Sequence, residues 1–130
     1  MENIVVETST KKDIVAITNE AQKKAQKIQD GVIVLNILHT TAALTTADLD
    51  PGTDQDFLDF LEGIVPNVNW RHPHNPSHAP AHLLSSLIGS SLTVPVSRGS
   101  LQLGQWQEIV VVELDGSRAR NIACSLLSGQ

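Results

Sequence analysis

The feature that most constrains the fold is a nearly uninterrupted apolar segment that runs from Gly31 to Leu38. Asn36 is its single polar side chain, and the other side chains are valine, isoleucine and leucine. A strand with one face in water would alternate polar and apolar residues, so this composition is typical of a central strand that is covered on both faces. A chain of 130 residues must therefore supply cover for both sides of a buried strand.

The rest of the pattern predicts an α+β domain. Further strands are predicted at residues 3–10, 91–96, 108–113 and 119–126, and helices at about residues 13–30, 57–64 and 80–88. The longest helix rests on apolar residues that recur at helical spacing from Ile14 to Ile28. Asp115 and Gly116 form a dipeptide that favours a hairpin turn. We expect residues 1–130 to form one compact domain, with a mostly antiparallel sheet and helices packed on one face.

Composition excludes several classes of function. The net charge is −5 and no basic run occurs, which argues against a nucleic-acid partner. No apolar stretch approaches the roughly 20 residues that span a bilayer, and the N-terminus lacks the pattern of a signal peptide. Cys124 is the single cysteine, which excludes an internal disulfide and a cysteine-based zinc site, and its apolar neighbours place it in the core. A cytoplasmic location without a membrane partner is the expectation.

The histidines are the clearest sign of a functional site. All five lie between residues 39 and 82, and four of them fall within eleven residues: His72, His74, His78 and His82. His78 and His82 are four residues apart, and two imidazoles at that spacing on a helix can share one metal ion. His39 follows the buried strand, where many folds bind ligands. A proline-rich loop also tolerates histidine as a surface residue, but the cluster favours a site that holds a divalent metal ion.

Two arginines are predicted on the apolar side of the closing strand. By strand parity, Arg118 and Arg120 share a face with Ile122 and Cys124. Guanidinium groups are rarely buried without a partner. They therefore either pair with carboxylates such as Glu113 or face an anionic ligand. Structural pairing is favoured for Arg118, and both alternatives stay open for Arg120.

Seven segments, in matching order and spacing, resemble the YjbQ-like family. They are residues 39–44 (HTTAAL), 69–72 (NWRH), 80–89 (PAHLLSSLIG), 94–96 (VPV), 98–101 (RGSL), 103–107 (LGQWQ) and 113–120 (ELDGSRAR). The resemblance covers essentially the whole chain from the first strand onward. It implies a compact α+β homotrimer and the family's label of secondary thiamine-phosphate synthase. A trimer would also supply the second cover of the apolar strand, because the predicted helices cover about one face.

The resemblance further implies a set of site residues. His39, His72 and His82 match the family's histidine triad and would bind the metal. Asp48 stands one residue short of the place where the family carries a glutamate, and it joins Arg118 and Arg120 as a candidate catalytic residue. Three histidines suit zinc or another transition ion better than magnesium, which prefers oxygen ligands.

These observations predict a specific geometry. The imidazoles of His39, His72 and His82 should converge at roughly 2.0–2.1 Å from one ion. Asp48 should lie nearby, as a fourth ligand or as an acceptor that fixes one imidazole. His74 should be peripheral, and His78 could join the site or replace His72.

Two functions are compatible with such a site. The first is a small metal-dependent enzyme that acts on a phosphorylated metabolite, in the manner of a thiamine-phosphate synthase. The alternative is a non-catalytic trimeric module that binds a metal ion or another ligand.

Overall fold

A computed structural model describes residues 2–129 and contains eight strands and three helices. The strands are β1 (Glu2–Glu7), β2 (Asp13–Ala16), β3 (Gly31–Ile37), β4 (Ala42–Ala47), β5 (Ser91–Ser97), β6 (Ser100–Leu101), β7 (Glu108–Glu113) and β8 (Ala119–Ser128). The helices are α1 (Thr18–Ala25), α2 (Thr53–Gly63) and α3 (Ala79–Ile88), and a 3₁₀ turn at Pro76–His78 leads into α3. None of the helices in residues 2–129 is long and apolar enough to cross a bilayer.

The strands form two antiparallel sheets. The larger has the order β1-β8-β3-β5-β6, and the smaller has the order β2-β7-β4. The α+β class with antiparallel pairing is confirmed, whereas the prediction of a single sheet is wrong. The turn at Asp115 and Gly116 is not a hairpin, because β7 and β8 lie in different sheets.

The predicted helix at residues 13–30 is too long at both ends: its first turn is a strand, and the observed helix ends at Ala25. Asp13–Ala16 is a strand that pairs with β7, and the helix begins only at Thr18. Ile14 is therefore a strand residue, and its side chain packs on the face of the small sheet that α2 and α3 cover. The predictions for α3 and β7 are confirmed, with α3 beginning one residue before the expected Pro80.

The molecule has three layers. The inner face of the large sheet packs against one face of the small sheet and against α1, in a core of aliphatic residues that includes Cys124. The other face of the small sheet packs against α2 and α3. Bulk apolar burial of this kind supplies most of the stability of a small domain.

The outer face of the large sheet has no covering element among residues 2–129. Along β3, burial alternates, so Ile33 and Leu35 are buried while Val32 and Val34 are partly exposed. The expectation that β3 is covered on both faces is therefore not met within one chain. Glu7, at the end of β1, is the single charged residue on this face of the four long strands. The other positions are polar or apolar: Asn3, Val5, Val32, Val34, Asn36, Ser91, Thr93, Pro95, Asn121, Ala123, Ser125 and Leu127.

Candidate functional site

His72 and His82 are two potential metal ligands whose rings are in contact. Their ring centroids lie 4.7 Å apart, with an angle of 48° between the ring planes. Two imidazoles bound to one zinc ion, at 2.0–2.1 Å from each nitrogen, would have their centroids roughly 5 Å apart. The rings are both partly buried. The centroid separation of the pair is therefore compatible with a shared transition-metal ion.

The position of His82 is fixed by the contact between α3 and β4. The Ser85 hydroxyl, one turn after His82, donates a hydrogen bond to the Ala42 carbonyl oxygen at 2.7 Å. At the end of the helix, the Leu44 N–H donates to the Gly89 carbonyl oxygen at 3.0 Å. Helix and strand therefore run in the same direction, and His82 lies beside the beginning of β4. His72 reaches it from the irregular segment before the 3₁₀ turn.

His39 is held as a neutral imidazole. Its Nε2 accepts a hydrogen bond from the Asn121 backbone N–H at 2.8 Å. Burial lowers the pKa of His39, and the positive charges of Arg120 and Arg118 lower it further against the opposing effect of Glu113. With its Nε2 lone pair engaged, neutral His39 carries its proton on Nδ1 and presents a hydrogen-bond donor there. This arrangement favours donation over metal ligation by His39.

The three predicted ligands do not close around one point within a single chain. Among residues 2–129 there is no group of three histidine, cysteine, aspartate or glutamate side chains with the spacing needed to hold a metal ion. His72 and His82 are brought together, and His39 is engaged separately with β8. Metal binding by these residues stays a prediction.

The two remaining histidines lie apart from the pair. His74 is exposed and has a φ of 69°. His78 lines a separate cleft of about 230 Å³, together with Lys11, Leu114 and other residues. The Asn75 side chain fixes His78, because its Oδ1 accepts from the Ser77 N–H at 3.1 Å and its Nδ2 lies 3.3 Å from His78 Nε2.

Arg120 forms a buried ion pair with Glu113. Its Nε donates to Glu113 Oε1 at 2.9 Å, and its Nη2 donates to Glu113 Oε2 and to both the carbonyl and hydroxyl oxygens of Thr41. The two side chains are 1% and 0% exposed. Arg120 therefore pairs with a carboxylate, the first of the two alternatives considered for it. Arg120 therefore acts on the site through its hydrogen bonds to Thr41 and through its charge, which lowers the pKa of His39.

The charge of Glu113 is compensated from several sides. Burial raises the pKa of Glu113, but hydrogen bonds from Arg120, the Thr8 hydroxyl and the Asp115 N–H outweigh it, so the pKa is lowered overall. The Thr8 bond is 2.6 Å long and the Asp115 bond is 3.0 Å long. No sequence signal marked Thr8 or Thr41 in this network, because threonine is common in and near strands whatever its role.

Arg118 is exposed and pairs with Asp115. Its Nη2 lies 3.2 Å from Asp115 Oδ2, so the structural pairing favoured for it is present, although its partner is not Glu113. Because the guanidinium is half exposed, it remains open to solvent and to a ligand.

Asp48 is far from the histidine pair in its own chain. It lies just past the end of β4, whereas His82 lies beside the beginning of that strand. Ala42 and Asp48 are separated by roughly 20 Å at the usual rise of a strand. Asp48 instead lines an open groove with Gln105 and Trp106. The prediction that Asp48 lies beside the histidines is therefore wrong within one chain.

Comparison with known proteins gives one consistent family. Residues 2–129 match the model of the family described as UPF0047 protein YjbQ-like. A UPF0047 protein of Archaeoglobus fulgidus is 34% identical over 125 residues, which cover 95% of this chain and 98% of the relative. The UPF0047 protein YugU of Bacillus subtilis is 32% identical over 126 residues, which cover 92% and 93%.

Solved structures show the same fold. A YjbQ/UPF0047 family protein of Clostridium acetobutylicum has a TM-score of 0.88 and 33% identity, with coverage of 98% of this chain and 100% of the other. A YbjQ-like protein of unknown function from Sulfolobus solfataricus has a TM-score of 0.90 and 32% identity, with coverage of 98% and 96%.

Proposed function

Since the chain belongs to the YjbQ-like UPF0047 family over residues 2–129, we propose a function from its own geometry. The chain is a metal-dependent enzyme whose ion is bound by His72 and His82. Its substrate is a small phosphorylated molecule, and its functional form is a homotrimer. The single observation that carries this proposal is the 4.7 Å separation of the two rings.

The donor set suits a transition ion. Imidazole nitrogen is a ligand for zinc, nickel, copper and iron, whereas magnesium and calcium prefer oxygen. A bound zinc-type ion would polarise a phosphoryl oxygen or lower the pKa of a water molecule. Both effects are useful in reactions of phosphate esters and diphosphates, which is why a phosphorylated substrate fits this site.

Neighbouring residues add recognition of an anion. Arg71 directly precedes His72 and is exposed. A guanidinium offers planar pairs of N–H donors that match the oxygens of a phosphate. Arg118 offers a second, half-exposed guanidinium, although Asp115 occupies part of it. In the proposed reaction these side chains bind and orient the phosphate.

The trimer is supported by the outer face of the large sheet. That face combines exposed apolar residues such as Val5 and Leu127, which are 59% and 57% exposed, with small polar residues, and Glu7 at the end of β1 is the single charge on its four long strands. Depletion of charged residues is typical of the core of an interface between subunits. Contact with further copies would bury the outer face of β3, as its almost entirely apolar composition predicts.

Zinc titration by calorimetry tests the metal site. We expect the tag-free protein to bind one zinc ion per chain, and His82→Ala to lose that binding. His74→Asn is the matched control, because His74 is exposed with a left-handed backbone that asparagine tolerates. Equal zinc binding by the wild type, His82→Ala and His74→Asn would remove the histidine pair from the proposal.

Two substrates test the catalytic claim. The wild type would be incubated, with zinc, nickel or manganese, first with the two phosphorylated precursors of thiamine phosphate and then with a generic phosphomonoester. The precursors test the reaction suggested by the family's resemblance, and the ester tests phosphoryl chemistry in general. Turnover that disappears in His82→Ala supports the enzyme. Tight zinc binding without turnover of either substrate would favour the alternative, a non-catalytic metal-binding module.

That alternative has one observation in its favour. Within residues 2–129, no carboxylate is grouped with His72 and His82 in a set able to hold a metal ion. A catalytic site generally includes a general acid or base within hydrogen-bond reach of the substrate. A module that only binds metal would not need one.

A further inference from the structure

We infer that the metal site is shared between two copies of the chain, with His72 and His82 of one copy completed by Asp48 of the next. This inference rests on the proposed function, because it identifies the partner of the same site. Asp48 would be an oxygen ligand to the histidine pair of a neighbouring copy, because it lies too far from His72 and His82 of its own chain.

The histidine pair is incomplete as a metal site. Catalytic and structural zinc sites usually have at least three protein ligands. His72 and His82 supply two, and the Nε2 of His39 is engaged by the Asn121 N–H. The remaining residues of the described chain, 2–129, add no third side chain to form a metal-holding group. A third ligand must therefore come from outside the chain.

Asp48 is exposed at the other end of β4. Its Oδ1 accepts a hydrogen bond from the Asp50 N–H at 2.9 Å, which leaves the second carboxylate oxygen available. The groove beside it contains Trp106, whose large apolar side chain is 63% exposed. Tryptophan is enriched at interfaces between proteins. The exposed Trp106 beside Asp48 therefore marks this groove as a surface that another copy could contact.

The two ends of β4 have complementary charge. Residues 63–97, which include the histidine pair, contain Arg71 as their single lysine, arginine, aspartate or glutamate. The groove around Trp106 has three carboxylates, Asp48, Asp50 and Glu108, and no basic lining residue. The acidic groove can therefore attract Arg71 of the neighbouring copy, which lies flat against the face of Trp106 and keeps its in-plane N–H donors for the phosphate.

The symmetry of the contact follows from these positions. The histidine end and the Asp48 end are different patches on one chain, so a contact between them is head-to-tail. A head-to-tail contact that closes produces a ring in which every copy both gives and receives a ligand. Such a ring is compatible with the homotrimer proposed above.

Complementation between two defective variants tests the shared site. Asp48→Asn and His82→Ala chains would each be purified, and also co-expressed in equal amounts with separable tags that are removed before measurement. Alone, each variant should bind zinc at least about tenfold more weakly than the wild type, because each lacks a ligand. In random head-to-tail assemblies, about a quarter of the interfaces join the intact histidines of one variant to the intact Asp48 of the other.

The mixed sample should therefore recover about a quarter of the high-affinity zinc binding of the wild type. His82→Ala co-expressed with His74→Asn is the control for co-expression itself, and it should recover about half, because half of the interfaces carry intact histidines and both variants retain Asp48. If Asp48→Asn alone binds zinc like the wild type, or if its mixture with His82→Ala recovers nothing, the shared site is refuted while the histidine site survives. If the wild type binds no zinc, the proposed function and this inference both fall.

Discussion

Glu113 and Arg120 are two opposite charges held entirely out of water. The pair is stable because both charged groups are bonded on several sides, by Thr8, Thr41 and the Asp115 N–H. Among the described residues, no buried side-chain nitrogen or oxygen lacks a partner. Removing one partner of such a pair leaves the other charge buried and uncompensated, which is more costly than the pair's own net contribution.

Arg120→Met should therefore destabilise the protein by about 3–5 kcal/mol. Arg118→Met is the matched control, because the exposed pair of Arg118 with Asp115 contributes about 0–1 kcal/mol. Urea unfolding followed by circular dichroism measures both. Similar losses in the two variants would contradict the structural role assigned to the buried pair.

His39 should make stability depend on pH below neutrality. Its pKa in the folded state is lower than in the unfolded chain, so the unfolded chain binds the proton first as pH falls. The contribution is fully present above the unfolded pKa of about 6.5 and is lost as pH falls from there through the folded pKa. Its slope in that window is at most about 1.4 kcal/mol per pH unit.

His39→Gln is the comparison that isolates this effect. The amide oxygen of glutamine can accept the Asn121 N–H but does not titrate. Urea unfolding between pH 5 and 8 should therefore show a smaller loss of stability in His39→Gln than in the wild type. Identical pH profiles would mean that His39 is not held neutral by this bond.

Among the helices and strands, the sequence pattern predicted the correct element where the local preference of a segment agrees with its long-range pairing and packing. The helix Ala79–Ile88 and the strand Glu108–Glu113 were predicted almost to their ends. Asp13–Ala16 was not, because it becomes a strand by pairing with Val110 to Glu113, about a hundred residues away. Ile14 and Ile17 fit helical spacing, so sequence alone could not separate the two possibilities.

The turn between β7 and β8 shows the same limit. Asp115 and Gly116 have hairpin chemistry, but the chain crosses here from one sheet to the other. Gly116 is required by close packing: a Cβ there would lie 2.2 Å from the Thr10 carbonyl oxygen and 2.9 Å from Glu113 Cγ. Its N–H donates to the Lys11 carbonyl oxygen at 2.8 Å, which ties the turn to the β1–β2 loop.

Gly116→Ala should destabilise the protein by about 1–3 kcal/mol, because the backbone around the new methyl group must move. Gly63→Ala is the control, since a Cβ there meets nothing within 4 Å and the residue ends a helix. It should be neutral or stabilising by up to about 1 kcal/mol. Thermal unfolding compares the two, and a neutral Gly116→Ala would contradict the packing described here.

At the scale of the whole molecule, sequence located the histidine cluster but not its geometry. Residues 39–82 hold all five histidines, yet only His72 and His82 are in ring contact. The Asn75 side chain turns His78 toward another cleft, and the Asn121 N–H engages His39. Asp48 is separated from the histidine pair by the length of β4. Such directions depend on contacts between distant segments, which spacing along the chain does not encode.

His72 and His82 are proposed to bind a metal ion in an assembly of several copies. Native mass spectrometry of tag-free protein with added zinc counts chains and ions together. We predict a trimer that carries one zinc ion per chain, and a His82→Ala trimer that carries none. A wild-type protein that retains no more zinc than His82→Ala, in any assembly, would contradict the claim.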